Sequence, residues 1–172
     1  MKYFKYILYL VVATSVYAHA DDRSDFFRAV EVDNADRVES LLKQGFDPNT
    51  RDDKGQVPLY LALRSPSPRV AAVLLRAPKL EVDATNNAAE TPLMMAALKG
   101  ERDWAERLLA KGAQVNRGGW TPLHYAATGP DERTLALLLD RGAEIEARSP
   151  SGMTPLMMAA RYGTEAGVDL LL

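Results

Sequence analysis

The cysteine and histidine content of this 172-residue chain leaves few candidates for a catalytic nucleophile or base, and these do not form a known catalytic set. Cysteine is absent, which excludes a Cys-His nucleophilic pair, a zinc site of the Cys/His type and any disulfide. The two histidines are His19, near the amino terminus, and His124. One histidine can still combine with a serine and an acid, so a hydrolase stays open as the weaker alternative.

The spacing of the acidic and glycine residues supports neither a metal site nor a phosphate site. The acidic pairs Asp21-Asp22 and Asp52-Asp53 lack the spacing of a calcium-binding loop. Gly118-Gly119 is not followed by Gly-Lys-Ser/Thr, so it is no phosphate-binding loop. We therefore expect no metal and no cofactor.

The charge balance also argues against nucleic acid as a partner. The chain carries 21 Lys and Arg against 23 Asp and Glu, for a formal net charge of −2. A nucleic-acid-binding protein needs a basic face, and no basic run supplies one here.

A tripeptide repeat is the strongest organising feature of the chain. Thr-Pro-Leu begins at Thr91, Thr121 and Thr154, and a relative of it begins at Val57. These starts are 34, 30 and 33 residues apart. A period near 33 residues indicates small units that stack into an elongated solenoid. Function is then expected on a repeated surface rather than in one deep pocket.

Each unit reads as two short antiparallel helices. Threonine caps the first helix, and proline at its first position loses no hydrogen bond. An Ala-Ala pair on that helix allows close packing of neighbouring helices. The second helix ends at a glycine such as Gly112 or Gly142, which adopts the left-handed conformation at little cost. The threonines Thr91, Thr121 and Thr154 and these glycines are therefore predicted to be structural.

The segment from Thr121 to Ala127 reads Thr-Pro-Leu-His-Tyr-Ala-Ala, and Leu-Leu-x-x-Gly-Ala occurs at residues 108–113 and 138–143. These motifs resemble the ankyrin-repeat family over nearly all of the chain after residue 24. The resemblance implies an all-α solenoid of helix-turn-helix units joined by hairpin-like finger loops. It also implies a non-catalytic scaffold that binds another protein, and a structural His124 whose imidazole ties adjacent repeats together.

The expected units are 24–56 as a capping repeat, 57–90, 91–120, 121–153 and an incomplete 154–172. The last unit stops at Leu170-Leu171-Leu172 before any Gly-Ala end. We expect a fragment or an early-terminated form that is monomeric apart from possible association through this last helix.

One finger loop is shorter than the others. Thr91 lies nine positions after Val82 and Thr154 nine positions after Ile145, but Thr121 lies only six positions after Val115. The shortening is either a tolerated surface deletion or a notch, floored by Trp120, where a partner enters.

The resemblance implies that partner contacts lie just before each threonine and at the fifth residue of each helix start. The residues at these contact positions change from partly polar in the first units to aromatic or methionine after the short finger. We predict a protein partner in the groove, with Asp53 and Lys54 of a finger adding rim contacts. Met94 and Met157, at the position of His124, are interpreted as core. The contact positions are Gln56 and Leu61, Glu90 and Met95, Trp120 and Tyr125, and Met153 and Met158.

The amino terminus predicts export. Lys2 and Lys5 precede an apolar run over residues 6–17, and Ala18-His19-Ala20 matches a signal-peptidase site. We expect residues 1–20 to be a signal peptide and 21–172 the repeat domain. An uncleaved anchor is the alternative, although the run is short of the ~20 residues that span a bilayer. The pattern resembles a bacterial export signal, so the periplasm is the expected destination and secretion the second. A modulator of a periplasmic enzyme is one form that the binding function could take.

Overall fold

The computed structural model describes residues 22–172, which form ten helices in five pairs and contain no strand. The first helix, α1, covers residues 22–31. The other nine are α2 (Ala35–Lys43), α3 (Pro58–Arg64), α4 (Pro68–Arg76), α5 (Pro92–Leu98), α6 (Arg102–Ala110), α7 (Pro122–Ala126), α8 (Glu132–Asp140), α9 (Pro155–Tyr162) and α10 (Glu165–Asp169).

The pairs stack as a solenoid, and the all-α prediction is confirmed. The first helices of successive units, α3, α5, α7 and α9, pack against one another in order and are called the inner helices. The second helices form an outer row, in which α2 packs on α4, α6 on α8 and α8 on α10. Each unit thus buries its apolar face mainly against its neighbours, as a repeat architecture requires.

The inner helices begin where the repeated tripeptide predicts. The Oγ1 atoms of Thr91, Thr121 and Thr154 accept hydrogen bonds from backbone N–H groups three residues later, at 3.2, 3.4 and 3.3 Å. Val57 begins α3 without a side-chain cap. All three threonines are buried, so each cap also satisfies a polar group that water does not reach.

The outer helices end by two different means. Gly112 (φ +98°) and Gly142 (φ +82°) adopt the predicted left-handed conformation after α6 and α8. No glycine follows α4, and the chain turns to extended backbone at Ala77, immediately before Pro78. That residue precedes a proline, which disfavours helical backbone there.

Alanine pairs set the close spacing of the inner helices. Ala96 and Ala97 of α5 are fully buried, and Ala126 and Ala127 are nearly so. Leu93 and Leu123 of the repeated tripeptide lie beside them with no exposed surface. These small and large residues alternate along one continuous core.

Three finger loops close with a backbone hydrogen bond, and the short one does not. The N–H groups of Asp52, Asn86 and Ser149 donate to the carbonyl oxygens of the residues four positions on, at 2.9, 3.0 and 2.9 Å. Within the described chain no such bond closes the loop between Val115 and Thr121. That loop turns at Gly119 (φ +85°), as its glycine content predicts.

The carboxyl-terminal unit differs from the others in its exposure. Leu171 is buried, whereas Leu172 is 87% exposed. The prediction that Met157 is core is wrong, since its side chain is 48% exposed. Its counterpart Met94 is buried because another inner helix follows α5, whereas none follows α9 in this structure.

The proposed signal peptide, residues 1–20, lies outside the described residues. Among residues 22–172, none of the helices combines the length and the apolar character that crossing a membrane requires.

Candidate functional site

The inner helices and finger loops together form one face of the solenoid, called the groove below. Its most distinctive part follows the short finger, where Trp120 contacts two other rings. The Trp120 indole meets the His124 ring edge to face, with centroids 5.3 Å apart, and the Tyr125 ring in the same manner at 6.4 Å. Such arrangements are favourable for aromatic pairs, so they fix the indole at the groove surface.

A small cavity opens beside these rings and is called the Trp120 cavity. It has a volume of about 190 Å³ and a mainly apolar lining. An apolar cavity of about 150 Å³ is enough to hold a benzene molecule. The space therefore suits a single apolar side chain rather than a whole small-molecule ligand. Its lining residues are Leu98, Trp120, His124, Tyr125, Thr128 and Met158.

His124 forms the floor of this cavity and is fully occupied by structural hydrogen bonds. Its Nε2 lies 2.9 Å from the carbonyl oxygen of Met153, and its Nδ1 lies 2.8 Å from Thr121 Oγ1 and 3.2 Å from the Thr121 N–H. A carbonyl only accepts, so Nε2 carries the proton and Nδ1 is the acceptor. The predicted bond to the neighbouring finger is confirmed.

The electrostatics of His124 agree with a neutral ring. Burial lowers its pKa below the ordinary value, and the carbonyl groups of Met153 and Ala147 oppose this only in part. Both ring nitrogens are held by bonds within the fold, and the hydroxyl beside Nδ1 belongs to the buried capping residue Thr121. Within residues 22–172 no group of three or more His, Asp and Glu side chains could hold a metal ion.

A carboxylate on the groove, that of Glu90, links inner helices of two different units. Its Oε2 accepts from the Tyr60 hydroxyl at 2.6 Å and from Asn86 Nδ2 at 2.7 Å. Its Oε1 accepts from the Tyr125 hydroxyl at 3.0 Å. Tyr60 lies on α3, Glu90 on the finger before α5, and Tyr125 on α7. Glu90 therefore links inner helices that are two units apart.

Burial and these bonds shift the pKa values of the cluster. Burial raises the Glu90 pKa, but the bonds from Tyr60, Asn86 and Tyr125 outweigh it, with help from the charge of Arg64, so the pKa is lowered. Burial and the bond to Glu90 raise the pKa values of both phenols well above the usual range. The carboxylate stays ionised and both hydroxyls stay protonated at neutral pH.

The structure brings together only part of the predicted contact set. Trp120, Tyr125 and Met158 line the same cavity, and Met153, whose carbonyl oxygen His124 contacts, is partly exposed nearby. Leu61 and Met95, which were also predicted to contact the partner, are only 4% and 6% exposed. Both belong to the continuous core, whereas Tyr125 and Met158 at the same position of later units are only partly buried.

The predicted rim residues Asp53 and Lys54 lie at a different place. They occupy the finger before α3, two units from the Trp120 cavity. The Asp53 carboxylate is 95% exposed and pairs with Arg23 at 3.1 Å. The Lys54 carbonyl oxygen accepts a bond from Asn87 Nδ2 at 3.1 Å. These contacts connect that finger to α1 and to the next finger and do not extend the cavity.

Two cavity residues, Leu98 and Thr128, are absent from the predicted set. Both lie seven residues after the capping threonine, Leu98 as the last residue of α5 and Thr128 two residues after the end of α7. Leu98 is 37% exposed, which is unusual for a leucine in this fold. The signal was present in the repeat, because the residue after each Ala-Ala pair varies while the pair itself does not.

Comparison with known proteins supports the same family throughout the described chain. The family described as "Ankyrin repeats (3 copies)" matches residues 26–118, 74–149 and 115–172. Protein glp-1 of Caenorhabditis elegans is 30% identical over 147 residues, which cover 76% of this chain and 11% of that protein. Neurogenic locus notch homolog protein 1 of Homo sapiens is 30% identical over 134 residues, covering 76% of this chain and 5% of that protein.

A third relative shows higher identity over a shorter stretch. Neurogenic locus notch homolog protein 4 of Homo sapiens is 44% identical over 88 residues, covering 48% of this chain and 4% of that protein. The chain thus spans only a small fraction of the length of each of these relatives. The matched ranges run from residue 26 to residue 172 and coincide with the stacked helical pairs, and so the chain belongs to the ankyrin-repeat family.

Proposed function

We propose that this chain is a non-catalytic protein-binding module that holds its partner against the groove at the Trp120 cavity. Ankyrin repeats typically mediate protein-protein interaction. The observation that carries the proposal is the half-exposed cluster of Trp120, Tyr125 and Met158 around an open apolar cavity. Aromatic residues at such places dominate the affinity of many protein interfaces.

Rigidity supports the same role. His124 and the Glu90 cluster tie the finger loops and inner helices around the cavity before any partner arrives. A surface that is already ordered loses little conformational entropy on binding. The engaged ring nitrogens of His124 favour a binding function over a hydrolytic one.

We further propose that the chain is exported and acts in the bacterial periplasm. The order of basic, apolar and small residues in positions 1–20 supports this destination. One partner class for such a protein is a periplasmic enzyme whose activity the bound module alters. The rate of a captured enzyme with and without the purified chain would test that role.

Site-specific photocrosslinking tests the binding function. A photoreactive amino acid placed at Met153, beside the cavity, should form adducts with a partner in cells that produce the chain. The same amino acid at Ala110, exposed on outer helix α6, is the matched control. Adducts at position 153 should disappear when Trp120→Ala is added. Equal adducts at both positions would contradict binding at the groove.

A further inference from the structure

The residues at and just beyond the carboxyl ends of the inner helices form a charge pattern around the Trp120 cavity. The seventh residue after each helix cap is Arg64, Leu98, Thr128 and Arg161 in successive units. Leu98 and Thr128 line the cavity. Arg64 lies one unit before Leu98, Arg161 lies on α9 together with the lining residue Met158, and both arginines are exposed. An apolar cavity is thus flanked by a cation on each side.

Two other charged groups near the cavity, Lys99 and Glu90, are already used within the fold. Lys99 pairs with Glu101 at 3.0 Å and donates to the Leu63 carbonyl oxygen at 2.8 Å. The Glu90 carboxylate accepts three hydrogen bonds from neutral groups of the groove. These contacts leave little capacity for an external partner.

The side chains of Arg64 and Arg161 are more available to a partner than those of Lys99 and Glu90. Neither forms a salt bridge in the described part of the chain, although the charge of Arg64 acts on Glu90 through space. The Arg161 guanidinium lies over the Tyr162 ring, 4.9 Å from its centroid, which leaves its N–H groups free for a carboxylate. Arginine is well suited to such pairing because its planar fork matches both carboxylate oxygens.

We infer that the groove binds an extended acidic segment of the partner, with one apolar side chain in the Trp120 cavity and carboxylates on either side meeting Arg64 and Arg161. This inference rests on the proposed binding function and specifies its partner. It names the chemistry that the cavity and the two flanking cations recognise together.

The spacing of the units sets the spacing of the ligand. The lining residues of the cavity are centred on α7. Packed helices lie about 9 Å apart, so Arg161 on α9 is about one unit, or ~9 Å, from that centre and Arg64 on α3 is about two units, or ~18 Å. An extended chain advances about 3.3 Å per residue. The acidic residues are therefore expected about three positions from the apolar anchor on the Arg161 side and about five positions from it on the Arg64 side.

A basic side chain is the competing occupant. The faces of Trp120 and Tyr125 attract cations, and Glu90 lies on the same face. The cavity wall, however, includes Leu98 and Met158, and both arginines would repel a basic segment. The balance of charge and lining favours an apolar anchor in an acidic segment.

Selection from a random dodecapeptide library displayed on phage tests the inference with the purified full chain as bait. Sequences enriched over bare resin should carry one large apolar residue flanked by Asp or Glu at about the stated spacing. Affinity of a synthetic enriched peptide should fall as ionic strength rises, because its charges are screened.

Matched arginine variants supply the decisive comparison. Arg64→Gln combined with Arg161→Gln should lower the affinity for the peptide by about fivefold or more. Arg76→Gln with Arg141→Gln, at the ends of outer helices α4 and α8, removes the same charge elsewhere and should leave the affinity unchanged. Circular dichroism melting of both pairs controls for folding.

Each other outcome overturns the inference. Enriched peptides that are neutral or basic, or equal losses in the two arginine pairs, contradict an acidic ligand. If those peptides are still lost with Trp120→Ala, the proposed binding function stands and only the acidic partner is wrong. Absence of enrichment also contradicts the inference, whereas photocrosslinking at Met153 judges the binding function separately.

Discussion

At the scale of single residues, Trp120 and Tyr125 are neighbours with different roles. Trp120 makes ring contacts and lines the cavity, and its indole takes part in no hydrogen bond of the described fold. Tyr125 also lines the cavity, but its hydroxyl donates to Glu90 and so helps to link its unit to unit 57–90. Replacing Tyr125 by alanine would therefore disturb both the fold and the surface.

Trp120 is consequently the cleaner test of affinity. We expect Trp120→Ala to weaken binding of the partner by about 2 kcal/mol or more, as truncation of an aromatic hot spot does. Tyr125→Phe should leave affinity unchanged and lower the free energy of unfolding by about 1 kcal/mol, since only the hydroxyl bond is lost. Calorimetry for binding and urea unfolding for stability measure the two effects. Normal binding by a folded Trp120→Ala variant would place the contact surface elsewhere.

His124 gives a prediction about pH. Its folded pKa is below the ordinary value of 6.5, so the unfolded chain binds a proton more readily than the folded chain. The free energy of unfolding should therefore fall as pH decreases through and below 6.5. Urea unfolding at about pH 7.5 and about pH 5.5 measures the loss.

The matched control for this pH effect is His124→Gln. The variant should be less stable at the higher pH because the Met153 carbonyl loses a fitted donor. It should also show a smaller pH dependence than the natural chain over the same interval. Equal pH dependence in the two proteins would show that other groups cause the loss. Glu90 also has a lowered pKa, but it contributes only in more acidic solution.

At the scale of helices, the beginning of α4 shows a cap supplied by another unit. The Asp33 carboxylate accepts from the Val70 N–H at 2.8 Å and from the Arg69 N–H at 3.4 Å. Ser67 holds the cap position, but its buried hydroxyl has no hydrogen-bond partner. Asp33 itself adopts φ +54°, a conformation that Asp and Asn tolerate better than most residues.

We expect Asp33→Ala to lower the free energy of unfolding by about 1 kcal/mol or more, because the helix loses its cap and alanine tolerates this backbone poorly. Asp33→Asn should retain most of the stability, since its side-chain oxygen still accepts a bond. Urea unfolding of both variants decides between them. An Asn variant as weak as the Ala variant would implicate the charge instead of the cap.

The helices also show how much of the fold the sequence predicts. The local signals of Thr-Pro-Leu starts, Ala-Ala spacing and terminal glycines predicted the helices, because each depends on residues within one turn. The Asp33 cap and the Glu90 cluster were not predicted, because they join residues 30 or more positions apart. The burial of Leu61 and Met95 was not predicted either, for a related reason. Their burial depends on the helix of the next unit, which their own segment does not encode.

At the scale of the whole molecule, the units are joined by a ladder of side-chain bonds outside the core. Asn116 Nδ2 donates to the Gly142 carbonyl oxygen at 2.7 Å, and its Oδ1 accepts from the Glu144 N–H at 2.9 Å. Asn49 makes the same pair of bonds to Lys79 and Glu81, both at 2.8 Å. In a solenoid, stability resides in such neighbour-to-neighbour contacts as much as in any unit.

Export is a prediction for the whole chain. We expect the mature protein to begin at Asp21, because Ala18 and Ala20 occupy the positions that signal peptidase reads. Amino-terminal sequencing of protein from the periplasmic fraction measures this directly. Ala20→Lys should block cleavage and leave a longer, membrane-associated form. Recovery of the natural chain with Met1 intact on membranes would favour the uncleaved anchor.

The position of Trp120 in the wall of the cavity also gives the groove a fluorescence signal of its own. The chain has two tryptophans, and the other, Trp104, lies on outer helix α6 beneath the Arg107 guanidinium. In a Trp104→Phe variant, all indole fluorescence would come from the cavity wall. A side chain entering the cavity would displace water from that indole and shift its emission to shorter wavelength. Occupancy could then be followed in real time without attaching a dye to either molecule.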